Sequence, residues 1–216
     1  MKLVKEYRCH KGDTMEQIDE ELMITAYHEA GHTITAYKYG FYVENFEVVH
    51  RTQKPELFLQ TGATGNWIGG VRINYSKTAN ERLFANALIK SNDDLVERSH
   101  KCNEFKYFLP KFAVMITSGW YGEVYYKEKY KKENVNLSAN AIDNAQDDKA
   151  HLVYAERVRN KLYPKRKDLF SEVDSKTYGI LCSNAALLEE LANIFYNKHN
   201  VSRTEIEDIV NKHIFD

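Results

Sequence analysis

The sequence of 216 residues is poor in cysteine and proline and carries almost no net charge. Only three prolines occur, which favours a helix-rich fold because proline interrupts helices. The three cysteines are widely spaced and form no Cys-x-x-Cys pair, which is typical of free thiols, so we expect a cytoplasmic protein. A formal net charge of −1 gives no electrostatic reason to expect nucleic acid or an anionic membrane as partner.

Long apolar runs and nucleotide-binding loops are also missing. The longest uncharged stretch, residues 57–71, is short and rich in Gly and Thr, whereas a membrane-spanning helix needs about 20 apolar residues. No apolar core follows residues 1–6, so we expect neither a signal peptide nor a membrane segment in this chain. No Gly-x-x-x-x-Gly-Lys-[Ser/Thr] sequence occurs, so we expect no P-loop ATPase in it either.

One short motif carries a clear chemical prediction, the His-Glu-x-x-His sequence of His28, Glu29 and His32. Residues four apart lie on the same face of a helix, so the two imidazoles can bind one metal ion. Glu29 is turned by about 100° from His28 and can act as general base towards water on the open side of the metal. A catalytic zinc ion takes three protein ligands, so the motif predicts a zinc site whose third ligand lies elsewhere.

The motif lies on a helix predicted over residues 14–40. Asp13 or Thr14 can cap its beginning, and Gly40 can end it. Apolar residues recur every three to four positions between these limits, as in a helix with one buried face. Gly31 weakens a helix by up to ~1 kcal/mol relative to Ala, so we expect another backbone to pack closely against it.

The rest of the sequence predicts a single mainly α domain with a small β-sheet, an α+β fold. Thr78 with Glu81 and Ser202 with Glu205 have the capping spacing that predicts the start of a helix. An apolar segment over 111–126 indicates a central buried helix, a charged run over 127–136 indicates a solvated end, and a long helix is predicted over 139–162. The predicted segments are an N-terminal extension (1–13), the motif helix (14–40), a small antiparallel sheet (43–75), a helical core (78–162) and a C-terminal helical hairpin (183–214).

The sequence of residues 25–32, Thr-Ala-Tyr-His-Glu-Ala-Gly-His, resembles the opening helix of the FtsH-type peptidase domain. This domain is the proteolytic half of the membrane-bound AAA+ zinc proteases. The similarity continues in Gly-Gly-Val at 69–71, in residues 119–123 of the apolar helix, and in the final hairpin over 187–207. It covers roughly residues 20–214 and is strong at both ends.

The resemblance implies a helix bundle built around the motif and a zinc-dependent endopeptidase that cleaves unfolded or flexible proteins. His28 and His32 would be zinc ligands and Glu29 the base. In that family an edge strand beside the zinc aligns the substrate by strand addition, which reads mainly the main chain. The candidate strand here is residues 69–75, in which we expect Gly70 and Val71 to bind the substrate; the alternative is a strand that serves the sheet alone.

The resemblance also implies a third ligand, an aspartate on a later helix, and the matching region is 143–150. Asp147 shares a helical face with Ala150 and with apolar positions further along, so we prefer Asp147 as the third ligand. Asp148 is the alternative, and Asp143 is the third choice.

The chain departs from the family in several places. The run Gly-Arg-Ala-Ala-Glu-Glu becomes Gly-Trp-Tyr-Gly-Glu-Val at 119–124, and the Thr-Gly stretch before the aspartate is missing. We expect neither the family's ATPase module nor its membrane anchor in this chain. The protein would then cleave unfolded or flexible chains, or act together with a separate unfoldase. Relatives form hexameric rings, so a homo-oligomer is a further expectation. The alternative function is a catalytically idle relative that binds a protein or peptide in the same cleft.

Overall fold

Helices form most of the chain, and the only sheet in its described part is small. The computed structural model describes residues 19–57, 65–75, 78–135 and 146–213. The elements in chain order are α1 (Glu20–Lys38), β1 (Tyr42–His50), β2 (Trp67–Asn74), α2 (Ala79–Ile89), α3 (Asp93–His100), α4 (Phe105–Tyr126), α5 (Gln146–Leu162), α6 (Leu169–Ser183), α7 (Ala185–Lys198), β3 (Asn200–Ser202) and α8 (Arg203–Val210). The predicted fold class, mainly α with a small β-sheet, is confirmed.

Helix α1 begins later than the capping pattern predicts. Asp19 has an extended backbone and its side chain accepts a hydrogen bond from the N–H of Leu22, which satisfies a free donor of the first turn. The helix therefore starts at Glu20, and the predicted caps Asp13 and Thr14 lie outside the described residues. After the last turn Gly40 has a φ of 78°, which turns the chain into β1.

Helix α4 is the centre of the molecule and packs on α1, α5 and α6. It confirms the predicted buried helix but begins earlier, at Phe105, and continues through Pro110. A proline inside a helix leaves the carbonyl four residues before it without its usual partner. Here that carbonyl belongs to Lys106, and the guanidinium of Arg166 donates to it at 2.7 Å. The apolar helix can therefore keep its direction across the proline.

Glycines let α1 and α4 approach more closely than side chains would allow. A Cβ built on Gly31 would overlap the carbonyl oxygen of Ser118, and one on Gly122 would overlap the carbonyl oxygen of Tyr27. The close backbone expected beside Gly31 is therefore present, and it belongs to α4. This contact fixes the distance between the two helices that carry most of the site.

The sheet is antiparallel with the strand order β2-β1-β3. Its two longer strands lie within the predicted range 43–75 to within a residue, whereas β3 comes from the connection between α7 and α8. Phe46 in β1 pairs with Val71 on one side and Val201 on the other. Its ring stacks on Phe195 of α7 with centroids 4.1 Å apart, which joins the sheet to the C-terminal helices.

Two further predicted helix starts agree with the structure. Thr78 caps α2 by accepting from the N–H of Glu81 at 3.1 Å, and Ser202 with Glu205 forms a complete capping box at α8. Helix α5 is described only from Gln146, so the predicted start at 139 lies outside the described residues. None of the helices in the described part of the chain has the length and apolar character of a membrane span.

Candidate metal centre

Three ligand atoms converge between α1 and the first turn of α5. His28 Nε2 lies 3.1 Å from His32 Nε2, and Asp148 Oδ2 lies 3.3 Å from each of them. A tetrahedral metal ion with bonds of about 2.0–2.1 Å holds neighbouring ligand atoms about 3.3 Å apart. The three atoms therefore fit three corners of such a site and leave the fourth for another ligand.

The hydrogen bonds of both imidazoles leave their Nε2 lone pairs directed at this centre. His32 Nδ1 lies 2.7 Å from the carbonyl oxygen of Met115, which can only accept, so Nδ1 carries the proton. His28 Nδ1 lies 2.8 Å from Glu123 Oε1, which fixes the same tautomer. Asp148 Oδ2 is buried and has no hydrogen-bond donor. Three acceptor atoms thus face one another, an arrangement that a metal cation would satisfy.

The shifted pKa values of His28 and Asp148 also indicate that this group of atoms favours a positive charge. Burial by itself lowers the pKa of His28, but the neighbouring carboxylates of Asp148 and Glu123 outweigh this and hold its pKa well above its usual value. Burial raises the pKa of Asp148, but the two histidines outweigh it and hold that pKa below its usual range. The cluster therefore keeps an ionised carboxylate and attracts a cation to its centre.

The structure corrects the preferred third ligand from Asp147 to Asp148. Asp147 is exposed, whereas Asp148 points between the two histidines. The reason is the orientation of α5, whose fully buried residues include Leu152 and Ala155. These positions lie four and seven residues after Asp148, on the same helical face. The remaining candidate, Asp143, lies outside the described residues.

Glu29 lies beside the three ligands and is itself only 6% exposed. Its Oε2 accepts a hydrogen bond of 3.0 Å from the main-chain N–H of Val71 in β2. Burial raises the pKa of Glu29, and the nearby histidines act in the opposite direction. The motif therefore supplies a buried carboxylate at the edge of the candidate centre, as expected from the sequence.

Helix α4 supports the site through Met115, Gly119 and Glu123, which are spaced by four residues and share one face. The carbonyl of Met115 accepts a hydrogen bond from His32, and the carboxylate of Glu123 accepts one from His28. Gly119 lies between them, and a Cβ at this position would overlap the Nε2 atoms of both histidines. The glycine thus leaves the space that an ion would occupy.

The role of Glu123 was not predicted from the sequence, although the residue was noted in the segment 119–123. It is 5% exposed, and its second carboxylate oxygen lies 3.6 Å from the ammonium group of Lys127. A carboxylate within an otherwise apolar buried helix must have a partner. That single acidic position in α4 was the signal that could have identified it.

The register of β2 decides which of its main-chain groups face away from β1. In antiparallel strands, residue pairs joined by main-chain hydrogen bonds alternate with pairs that are not joined. The N–H of Arg51 donates to the carbonyl of Asn66 at 2.7 Å, so this pair is one of the joined ones. In this register the polar groups of Gly70 face β1, whereas those of Gly69 and Val71 face the outer edge. The main chain of Gly70 therefore pairs within the sheet, and Gly69 has its main-chain groups at the edge. That Gly70 and Val71 bind a substrate stays a prediction. Val71 remains on the outer edge.

Comparisons with known proteins identify no relative. No family model matches the chain, and searches of curated proteins and of solved structures find no match either. The family resemblance noted in the sequence therefore stays a prediction. The function has to be argued from the geometry of the His28, His32 and Asp148 group, which could hold a metal ion.

Proposed function

We propose that the protein is a zinc-dependent endopeptidase of the FtsH-like type that cleaves unfolded or flexible polypeptides. The observation that carries the proposal is the convergence of His28 Nε2, His32 Nε2 and Asp148 Oδ2 within 3.3 Å, with the carboxylate of Glu29 beside them. Two imidazoles and one carboxylate with an open fourth position are the ligand set of hydrolytic zinc sites.

Each residue of the site has a separate role in the proposed hydrolysis. Zinc, when bound, acts as a Lewis acid and lowers the pKa of water to about 7. Glu29 takes a proton from the attacking water and passes it to the leaving amine, so the amine departs as a neutral group. Glu123 and the carbonyl of Met115 hold the imidazoles in the tautomer that binds metal.

The outer edge of β2 is the proposed position of the substrate. An extended polypeptide can add to an exposed strand through main-chain hydrogen bonds, which gives broad specificity. Glu21 and Glu29 already accept the outward N–H groups of Trp67 and Val71, so the groups that remain for a substrate are the N–H and carbonyl of Gly69 and the carbonyl of Val71. Strand addition requires an extended chain, so a folded substrate would have to be opened first, for example by a separate unfoldase.

The replacement of Glu29 by Gln tests this proposal. Glu29→Gln keeps the size of the side chain but cannot take a proton, so zinc content should be unchanged and cleavage should fall by about 10²–10⁴-fold. The measurements are zinc per protein chain by mass spectrometry and cleavage of fluorescently labelled, unfolded casein. Glu97→Gln on the exposed side of α3 is a matched control and should keep full activity.

The results separate the peptidase from the alternative of a binding module. Cleavage at the wild-type rate by Glu29→Gln would contradict the role of Glu29. A wild-type protein that binds zinc and unfolded casein without cleaving it would instead favour the catalytically idle relative.

A further inference from the structure

Glu21, Thr25 and Glu29 form a row of side chains on α1 that runs along the outer edge of β2. Four residues of a helix advance by about 6.0 Å, and two residues of a strand advance by about 6.6–6.8 Å, so the two elements keep in register over a short distance. Carboxylates at both ends of the row accept main-chain N–H groups of β2, at 3.2 and 3.0 Å. The matched pairs are Glu21 with Trp67, Thr25 with Gly69 and Glu29 with Val71.

The middle pair sets the separation between the two elements. A Cβ at Gly69 would lie 2.6 Å from the methyl carbon of Thr25 and 3.1 Å from Cγ of Glu29. The absence of a side chain at Gly69 is therefore what lets β2 come close enough for the N–H of Val71 to reach Glu29. That N–H faces away from β1, so the strand ladder does not use it.

We propose that the main-chain N–H of Val71 is a positioning group that holds the Glu29 carboxylate for its work as base. The inference rests on the proposed peptidase function and deepens it. An N–H that is fixed in β2 holds Oε2 of Glu29 at 3.0 Å and leaves the other carboxylate oxygen to receive the proton.

Proline at position 71 removes the N–H that donates to Glu29. Because the N–H points outwards from an edge strand, Val71→Pro breaks no bond of the β1–β2 ladder. Val71→Ala is the matched variant, since it shortens the side chain but keeps the N–H. We expect Val71→Pro to lower kcat for unfolded casein by about 10- to 100-fold relative to Val71→Ala, the effect of losing a hydrogen bond to a charged group. Zinc content should be unchanged.

A double-mutant comparison shows whether Val71 acts through Glu29. In a Glu29→Ala background the base is gone, so Val71→Pro should produce no further loss of the remaining activity. An equal kcat for Val71→Pro and Val71→Ala would overturn the proposal, and so would a loss that is undiminished in the Glu29→Ala background.

Amide hydrogen exchange tests the same contact without using catalysis. In the zinc-loaded wild-type protein the amide of Val71 should be protected, and Glu29→Ala should speed its exchange by at least about tenfold. The amide of Gly70, which faces β1, is the internal control and should stay protected in both proteins. Unchanged exchange at Val71 overturns the proposal even if Val71→Pro fails to fold. Absence of cleavage by the wild-type protein would overturn the peptidase function, while the exchange result would still test the hydrogen bond.

Discussion

Neighbouring aspartates at the start of α5 have opposite surroundings. Asp148 lies 3.3 Å from both imidazoles, whereas Asp147 is exposed to solvent. We predict that Asp148→Asn lowers zinc affinity by more than about 100-fold, because it removes a charged ligand rather than a hydrogen-bond partner of a ligand. Asp147→Asn should keep the wild-type affinity. Competition titration with a fluorescent chelator measures both, and equal affinities of the two variants would contradict the assignment.

The sequence predicted two residues of the candidate metal group, but the aspartate that it preferred as the third does not join them, for a physical reason. His28 and His32 lie within one motif, so helix geometry alone puts them together. The third ligand depends on how α5 is rotated against α4, which the apolar pattern specifies poorly. Arg159 lies eleven residues after Asp148, on the same helical face, and is only 6% exposed. Its guanidinium donates to the carbonyl of Arg166 at 2.8 Å, so this inner face carries a buried charge as well as apolar residues.

At the scale of elements, helices with a strong local sequence signal were predicted, and elements with a weak signal were not. Capping at Thr78 and the capping box at Ser202 gave correct helix starts because they are encoded within four residues. Helix α6 was not predicted, although Asp168 caps it, because the polar Thr177 interrupts its buried stripe. Strand β3 is three residues long and depends on pairing with the distant β1, which no local pattern reveals.

The contact between α1 and α4 makes a prediction about stability. Gly31→Ala places a methyl group against the carbonyl of Ser118, a backbone atom that cannot move aside. We expect the free energy of unfolding to fall by about 1–3 kcal/mol, as for other overpacked cores. Urea denaturation followed by circular dichroism measures the change.

Gly179 offers a control for this substitution within another helix. It lies in α6, is exposed, and a Cβ built on it meets nothing within 4 Å. Gly179→Ala should therefore raise the free energy of unfolding by about 0.5–1 kcal/mol through helix propensity. A similar response at Gly31 and Gly179 would mean that α1 and α4 are not held as closely as the structure shows.

At the scale of the whole molecule, the site joins parts that are far apart in the chain. His28 and His32 come from α1, Asp148 comes from α5, and both helices pack on α4. The hydrogen-bond partners of the imidazoles belong to α4 itself. Helix geometry brings the two histidines together, but Asp148 joins them only when the helices pack, so the unfolded chain offers no complete set of ligands. Zinc bound at this group would therefore favour the folded state.

This linkage predicts a concentration-dependent thermal stability. At a free zinc concentration 100 times Kd, binding to the folded state alone adds about 2.7 kcal/mol to the free energy of unfolding. For a chain of this length, that corresponds to a rise in Tm of about 5–10 °C. Differential scanning calorimetry against buffered zinc measures it. Glu29→Gln keeps all three ligands and should show the full rise, whereas Asp148→Asn should show almost none. An equal rise in both variants would mean that zinc stabilises the protein at a place other than His28, His32 and Asp148.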